Sequence, residues 1–335
     1  MALTEVTTNL QEELWGSSLW RAVIQRMAWT KSMGIDENNI VIVRNEFQKQ
    51  AGDKLTIGLS YPLSGEGIDG DNKLEDNEET LQTFDFAFYI NQKRNAVRLK
   101  GKMSEKKTRL KLRREARDRL SLWLSEIIDK ELTRKAAGVT TWTFANTPTA
   151  PTVGLYGGDA TGDTDMASSD WLGTAEIDRM KTRAQTASPK VQPLRIAGGD
   201  FYVLQIHPNQ TYLLKHDSNW KNAQMYAMPR GSSNPLFTNA IGGWNGVLIH
   251  ENEELPELTI NSLACRRALL LGRQALVLGF GGAISWQEET FDFGNQVAFA
   301  VGRIFGCQAA KYNSKDLGRI AMDSYAPAPT GVAHS

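Results

Sequence analysis

Lys73 is the only basic residue in an acidic stretch, Leu63 to Thr80, that also holds Glu66, Asp69, Asp71, Glu75, Asp76, Glu78 and Glu79. A lone amine in that setting suits attack on an Asn side chain of a neighbouring chain to form an isopeptide bond, but that chemistry also needs a specified Asn and a desolvated Glu, and the sequence marks neither. Gly65, Gly67 and Gly70 spell GxGxxG, the pattern of a turn that cradles phosphate. The DNKLEDNEE that follows cannot open an apolar helix, and its charge repels a pyrophosphate. His250 and Glu251 begin an HExxH whose last position, 254, is Glu, so no zinc pair forms. His207, His216 and His334 have no ligand spacing, and Asp159, Asp163 and Asp165 lack the order of an EF-hand, reading instead as a polar turn. GxSxG and Walker patterns are absent, and Cys265 and Cys307 have no His signature beside them. The expectation is a protein with no catalytic residue, no metal and no cofactor.

Segregated charge is the stronger signal. Lys plus Arg equal Asp plus Glu at 38 each, so the total says nothing of partners. Yet Lys102, Lys106, Lys107, Arg109, Lys111, Arg113, Arg114, Arg117 and Arg119 face only Glu105, Glu115 and Asp118. An acidic and a basic block on one chain favour head-to-tail contact between copies; the plainer reading is two solvated faces. With 335 residues, 41% apolar content and nine Trp, the chain has core enough for two or three domains. Two Cys without CxxC, and an opening MALTEVTTNLQEELW without a positive n-region or apolar h-region, lead to an expectation of reduced thiols in a cytosolic setting. No apolar run approaches the length of a membrane span, because Arg266, Arg267 and Arg273 interrupt the best candidate.

The elements that must carry these charges follow from periodicity. Ser104 to Ala137 reads as one uninterrupted helix, with Ser104 as N-cap and Gly138 at the C′ position. Leu112, Ala116, Leu120, Trp123 and Ile127 form its stripe, widened by Leu124, Ile128 and Leu132, with the opposite face wet. At 1.5 Å per residue it would be roughly 50 Å long. Residues 10–33 carry Leu14, Trp15, Leu19, Trp20, Val23, Ile24 and Met27 at helical spacing, and Ile40 to Phe47 reads as a strand. Asp53 to Tyr61 and Phe84 to Ile90 alternate cleanly and make a long hairpin arm. Such a ribbon is marginal alone, so its aromatic face, Phe84, Phe86 and Phe88, is expected to rest on another subunit. Thr140 to Asp165 reads as a linker, followed by a short helix with Trp171, Ile177, Met180 and Ala184 inward. RIAGGDFYVLQIHPNQTYLL reads as a hairpin turning at Gly198 and Gly199, GVLIHE as a strand, Leu263 to Leu278 as an apolar helix, and Asn295 to Met322 as two returning strands.

This order of parts resembles the major capsid proteins of tailed phages with the Hong Kong 97 fold. The runs NEFQKQAGDKLTIGLSYPLSGEGIDGDNKLEDNEE, INQKRNAVRLKGKMSE, YVLQIHPNQTYLL, RGSSNPLFTNAIGGWNGVLIHE and DLGRIAMDSYAP are similar to the branch that includes schitovirus-type short-tailed phages. The resemblance spans about Thr8 to Pro327. It implies an α+β fold: an N-terminal arm (1–49), an E-loop hairpin (50–101), a peripheral domain (102–194) with a spine helix (104–137), a mixed α/β axial domain (195–290), returning peripheral strands (291–326) and a disordered tail (327–335). It also implies hexamers and pentamers of an icosahedral shell around double-stranded DNA, built in the bacterial cytoplasm with a portal and separate scaffolding or decoration proteins. Phe84, Phe86, Phe88, Glu75, Asp76, Glu78 and Glu79 would then reach a neighbour, and Arg109, Arg113, Arg114 and Arg117 would receive them or face weakly held DNA. An encapsulin-like compartment shell shares that fold. A nucleotide-binding enzyme using Gly65, Gly67 and Gly70 is the alternative of another class.

Overall fold

The computed structural model describes residues 23, 27–45, 52–60, 63, 65, 67–70, 72–81, 83–107, 112–139, 146–196, 198–226 and 240–329. Short strands β1 (Met33–Gly34) and β2 (Val41–Arg44) lead to a hairpin of β3 (Lys54–Ser60) and β4 (Thr83–Tyr89), then β5 (Asn91–Arg98) and helices α1 (Lys102–Lys107) and α2 (Leu112–Ala137). Strand β6 (Gly154–Tyr156), helix α3 (Thr174–Thr186), strands β7 (Leu194–Ile196) and β8 (Gly199–Ile206), and helices α4 (Pro208–Leu214) and α5 (Ser218–Tyr226) follow. The rest is strand: β9 (Ala240–Trp244), β10 (Val247–Glu251), β11 (Glu257–Ile260), β12 (Leu263–Leu271), β13 (Leu276–Phe280), β14 (Ser285–Phe291), β15 (Gln296–Ala309), β16 (Lys311–Tyr312), β17 (Lys315–Asp316) and β18 (Arg319–Tyr325). Of the helix expected over 10–33, residues 10–22 and 24–26 lie outside the described residues; Val23, Met27 and Trp29 are buried in the main core, but Ala28–Ser32 is a 3-10 turn and Met33 already begins β1.

Two sheets organise the chain. In a six-stranded sheet, β13 and β14 run antiparallel along β15 from Leu276 opposite Ala309 to Phe291 opposite Gln296, while β5 pairs with β15 and β2 extends the sheet beyond β13. In an eight-stranded sheet the order is β6-β18-β12-β8-β10-β9, with β11 on β12 and β7 on β8. The returning strands therefore part company: β15 joins the first sheet and β18 the second.

Leu263 to Leu278 is not a helix but β12 and β13, broken by a turn at Gly272 and by Gln274 at φ 58°. A strand covered on both faces is apolar at successive positions and mimics a buried helix. Leu269 and Leu271 enter the core beneath α2, whereas Ala268 and Leu270 enter a second core with Ile177, Met180 and Ala184 of α3. The eight-stranded sheet thus has a helix layer on each side. QTYLL, read as strand, belongs to α4, whose start is set by Pro208 and by His207 Nδ1 accepting from the Asn209 amide. Burial lowers the pKa of that imidazole, which suits an acceptor. The linker expected over 140–165 holds β6 against β18, and Ala326, just before the expected tail, is buried and donates to Ala264 O.

Helix α2 differs from its sequence reading at both ends. The helical segment before it starts at Lys102 rather than at Ser104, with the Asn295 side chain accepting from the Lys102 amide; residues 108–111 lie outside the described set. The buried stripe runs Ala116, Leu120, Leu124, Ile128, Leu132 and Ala136, in steps of four, and Trp123 and Ile127 sit at its margin. Towards the C-terminus the wet face narrows to Glu126, Lys130 and Arg134, and Ser121, Ser125, Glu131, Thr133 and Lys135 are buried too. Gly138 closes the helix at φ 71°, and the amides of Gly138 and Val139 both return to Arg134 O.

The last carbonyls, which a helix leaves orphaned, are taken up by two arginines. Arg319 donates at 2.8 Å to Lys135 O and Ala136 O, and Arg267 at 2.8 Å to Ala137 O. Each is paired with a carboxylate, Arg319 with Asp316 at 2.8 Å and Arg267 with Asp323 through two bonds of 2.7 Å. Arg319→Met should destabilise the folded chain by about 3–5 kcal/mol, because Asp316 is left as an uncompensated buried charge. The double variant with Asp316→Asn should recover part of that loss, as read from urea unfolding midpoints.

Candidate assembly interface

The hairpin β3–β4 is in register from Lys54 opposite Tyr89 to Ser60 opposite Thr83. Its alternation sends Leu55, Ile57, Phe86 and Phe88 to one side, as the sequence indicates. What that side meets differs from expectation. Phe86 and Phe88 pack with Val277, Ala310 and Leu317 of their own chain, and Phe88 is wholly buried. Phe86 and Phe88 are therefore covered without a neighbour. The side chain of Phe84 lies outside the described set.

The base of the arm is clamped. Asn146 Oδ1 accepts from the Tyr89 amide at 2.8 Å, while its Nδ2 donates to Tyr89 O at 2.9 Å and to Cys307 O at 3.3 Å. Gly306 of β15 lets the chain pass this closely, since a Cβ there would strike Tyr89 O. Sequence reading missed Asn146 because an Asn in a Thr- and Pro-rich stretch looks like turn chemistry.

The tip stays acidic and open. Lys73 pairs with Glu75 at 3.1 Å and Asp76 at 3.6 Å, and all three are well exposed. Glu79 accepts from the Gly65 amide at 2.8 Å, and Glu78 is exposed. No helix follows Gly65, Gly67 and Gly70, so the phosphate-cradle alternative fails on geometry. Leu63, Leu74 and Leu81 are also exposed on this arm, at 63%, 62% and 59%. Their spacing carries no strand or helix period, so they do not stand out in the sequence.

The basic face begins at α1 and runs into α2. Arg113 and Arg114 are exposed, with the Arg113 guanidinium 6.0 Å from the Phe299 ring centre; Arg117 is half-buried, and Arg119 pairs with Glu115 at 2.8 Å. Arg109 lies outside the described residues. Deeper in the same helix, Glu131 and Lys135 form a fully buried pair at 3.3 Å. Burial pushes the Glu131 carboxyl up to about 7, against the pull of Lys135 and, more weakly, of Lys93 and Arg134. Burial also raises both thiols, Cys307 well above its ordinary value, which leaves neither as a nucleophile at neutral pH. Asp163 accepts from the Tyr156 hydroxyl and Asp165 from Thr161, each within its own turn.

A family model described as phage capsid protein matches residues 4–328. The chain is 26% identical over 360 aligned residues to the major capsid protein of Pseudomonas phage KPP25, covering 93% of this chain and 94% of that one. Among solved structures, the capsid of Ralstonia phage GP4 superimposes with a TM-score of 0.82 at 28% identity, covering 92% of this chain and 93% of that chain. The capsid of cyanophage Pam1 shares the fold, with a TM-score of 0.77 at 22% identity and coverage of 90% and 93%.

Two outcomes follow from this geometry. Asn146→Ala should free the arm's base, costing about 1–3 kcal/mol for the backbone groups left unsatisfied and accelerating hydrogen exchange at the Tyr89 amide. For Glu131, a folded pKa near 7 against an ordinary value of 4.5 means a contribution fully present below pH 4.5 and lost as pH rises through 7. It amounts to at most about 3 kcal/mol. Glu131→Gln should therefore flatten the fall in urea midpoint between pH 5 and pH 8 relative to the parent chain.

Proposed function

The chain belongs to the phage capsid protein family and is a structural component of a virion capsid, and from that premise we propose that its copies close into hexamers and pentamers of an icosahedral shell around double-stranded DNA. The fold is of the Hong Kong 97 type, and self-association is its function. The axial part of each subunit would be the eight-stranded sheet with α3, α4 and α5, and the peripheral part the six-stranded sheet with α1 and α2. Assembly would take place in the bacterial cytoplasm, with a portal and separate scaffolding or decoration proteins as partners.

One observation carries the contact we assign: the arm extends an exposed acidic tip, in which Lys73 pairs with Glu75 and Asp76, while the same chain displays an exposed basic face at Arg113 and Arg114. Because the two patches differ, the contact is heterologous, and copies related by rotation close into rings. Glu75, Asp76, Glu78 and Glu79 would meet Arg113, Arg114, Arg117 and Arg109 of the next copy. Each pair on such an open rim is weak, on the order of 1 kcal/mol or less, so strength comes from many simultaneous contacts in a closed shell. Since the aromatic underside is buried within its own subunit, the unassembled subunit is a folded species. The same arginines, where not engaged by a tip, would touch DNA phosphates weakly and without sequence preference.

Replacing Glu75, Asp76, Glu78 and Glu79 together by Lys should abolish shells in negative-stain images while leaving the monomer's thermal unfolding within a few degrees of the parent. Shells of normal yield from that variant would refute charge docking.

A further inference from the structure

The turn between β14 and β15 holds a feature that charge docking does not use. Asp292, Phe293 and Gly294 all have left-handed backbones, at φ 52°, 49° and 78°. Gly tolerates this, but for a bulky aromatic it is an outlier. Phe293 is also the most exposed large apolar side chain among the described residues, at 109%. Asn295, whose amide returns to Asp292 O, uses its side-chain oxygen to hold the Lys102 amide at 3.3 Å. That bond seats the turn against the first residues of α1, where Met103 stands 67% exposed. Lys102, Lys106 and Lys107 are exposed on the same short helix as Met103, Arg98 on the adjacent strand has its guanidinium 4.2 Å from the Phe291 ring centre, and the exposed carboxylate at the turn itself is Asp292, which accepts from the Asn295 side chain. The result is an apolar knob with a basic rim, presented on a strained turn and seated by a specific side chain.

We propose that this knob is the apolar anchor of the subunit contact, and that its occupant is the hairpin tip of a second copy, with Leu63, Leu74 and Leu81 closing over Phe293 and Met103. The inference rests on the self-assembly reading and names the receiving site within it. Complementarity selects the occupant. The tip pairs exposed leucines with Glu75, Asp76 and Glu78, and the knob pairs exposed Phe and Met with lysines, so that apolar centre meets apolar centre while opposite charges meet at the rim. Among the described residues, the exposed aliphatic side chains Ile35 and Ile196 have a mixed surround, with Asp36 and Glu37 next to Ile35 and an Arg195–Asp200 ion pair beside Ile196, so their rim offers the acidic tip less net positive charge than the three lysines of α1. Desolvated apolar side chains at the centre of a patch carry most of the binding energy, and charged rims set approach and register. The left-handed Phe293 is then the conformational cost of holding the anchor outward.

The test uses Phe293→Gly in the full chain. Gly suits that backbone, so the monomer should unfold at the parent temperature or slightly above. The concentration at which shells appear should rise about tenfold or more, from loss of one buried aromatic. In a second experiment, Leu74→Cys and Phe293→Cys chains are mixed and oxidised in air; native Cys265 and Cys307 are buried and silent. A disulfide between the two chain types supports the proposal. Shells forming at the parent concentration from Phe293→Gly overturn it. So does failure of the 74–293 link while a Glu75→Cys and Arg113→Cys mixture links, a result that keeps charge docking and removes the anchor. Phe293→Gly shells that assemble normally but lose packaged DNA would assign the knob to nucleic acid and also overturn it. Conversely, a 74–293 link together with normal assembly of the four-lysine tip variant would refute charge docking and leave the anchor standing.

Discussion

The capture of the α2 C-terminus by Arg319 and Arg267 is the constraint on which the architecture turns. Helix α2 crosses beneath both sheets, and its last three carbonyls are buried where no water can satisfy them. Arg267 comes from β12 and Arg319 from β18, neighbouring strands of the eight-stranded sheet. Their guanidinium groups therefore bolt the helix end to that sheet, while the leucine stripe of the same helix packs on β15 of the other. Asp316 and Asp323 keep the two cations neutralised at a depth where an unpaired charge would cost several kcal/mol. The relative placement of the two sheets follows from this joint.

From that joint the arm inherits its direction. Strand β5 is laid along β15, Asn146 ties the turn at Tyr89 to β15 and to the segment after α2, and the hairpin leaves the body at that point. Its underside is fastened by Phe86 and Phe88, while Lys73, Glu75 and Asp76 at its tip are exposed. With Phe86 and Phe88 covered, this part of the ribbon needs no neighbour for its burial.

Much of this was legible in residue order, and the exceptions have physical causes. The hairpin β3–β4, the α3 positions Ile177, Met180 and Ala184, the turn at Gly198 and the glycine stop at Gly138 all obey a local rule of period or backbone freedom, and each stands where that rule puts it. Leu263 to Leu278 misled because a strand buried on both faces has lost the alternation that marks strands. The buried side of α2 near Glu131 and Lys135 misled because charged residues normally signal solvent. The cover over Phe86 and Phe88 comes from Val277, Ala310 and Leu317, more than 180 residues further along the chain, and no local pattern announces such a contact. Of the surface proposed for assembly, the charge blocks could be read directly. The exposed leucines and Phe293 could not, since exposure is a property of the fold.

Cys265 and Cys307 are enclosed in different cores, with thiols held in their protonated form. Neither thiol is therefore open to oxidation into a disulfide. A virus coat waits outside cells for long and unpredictable times before it meets a host, and one built this way can age in air without acquiring stray covalent bonds that would lock or distort it.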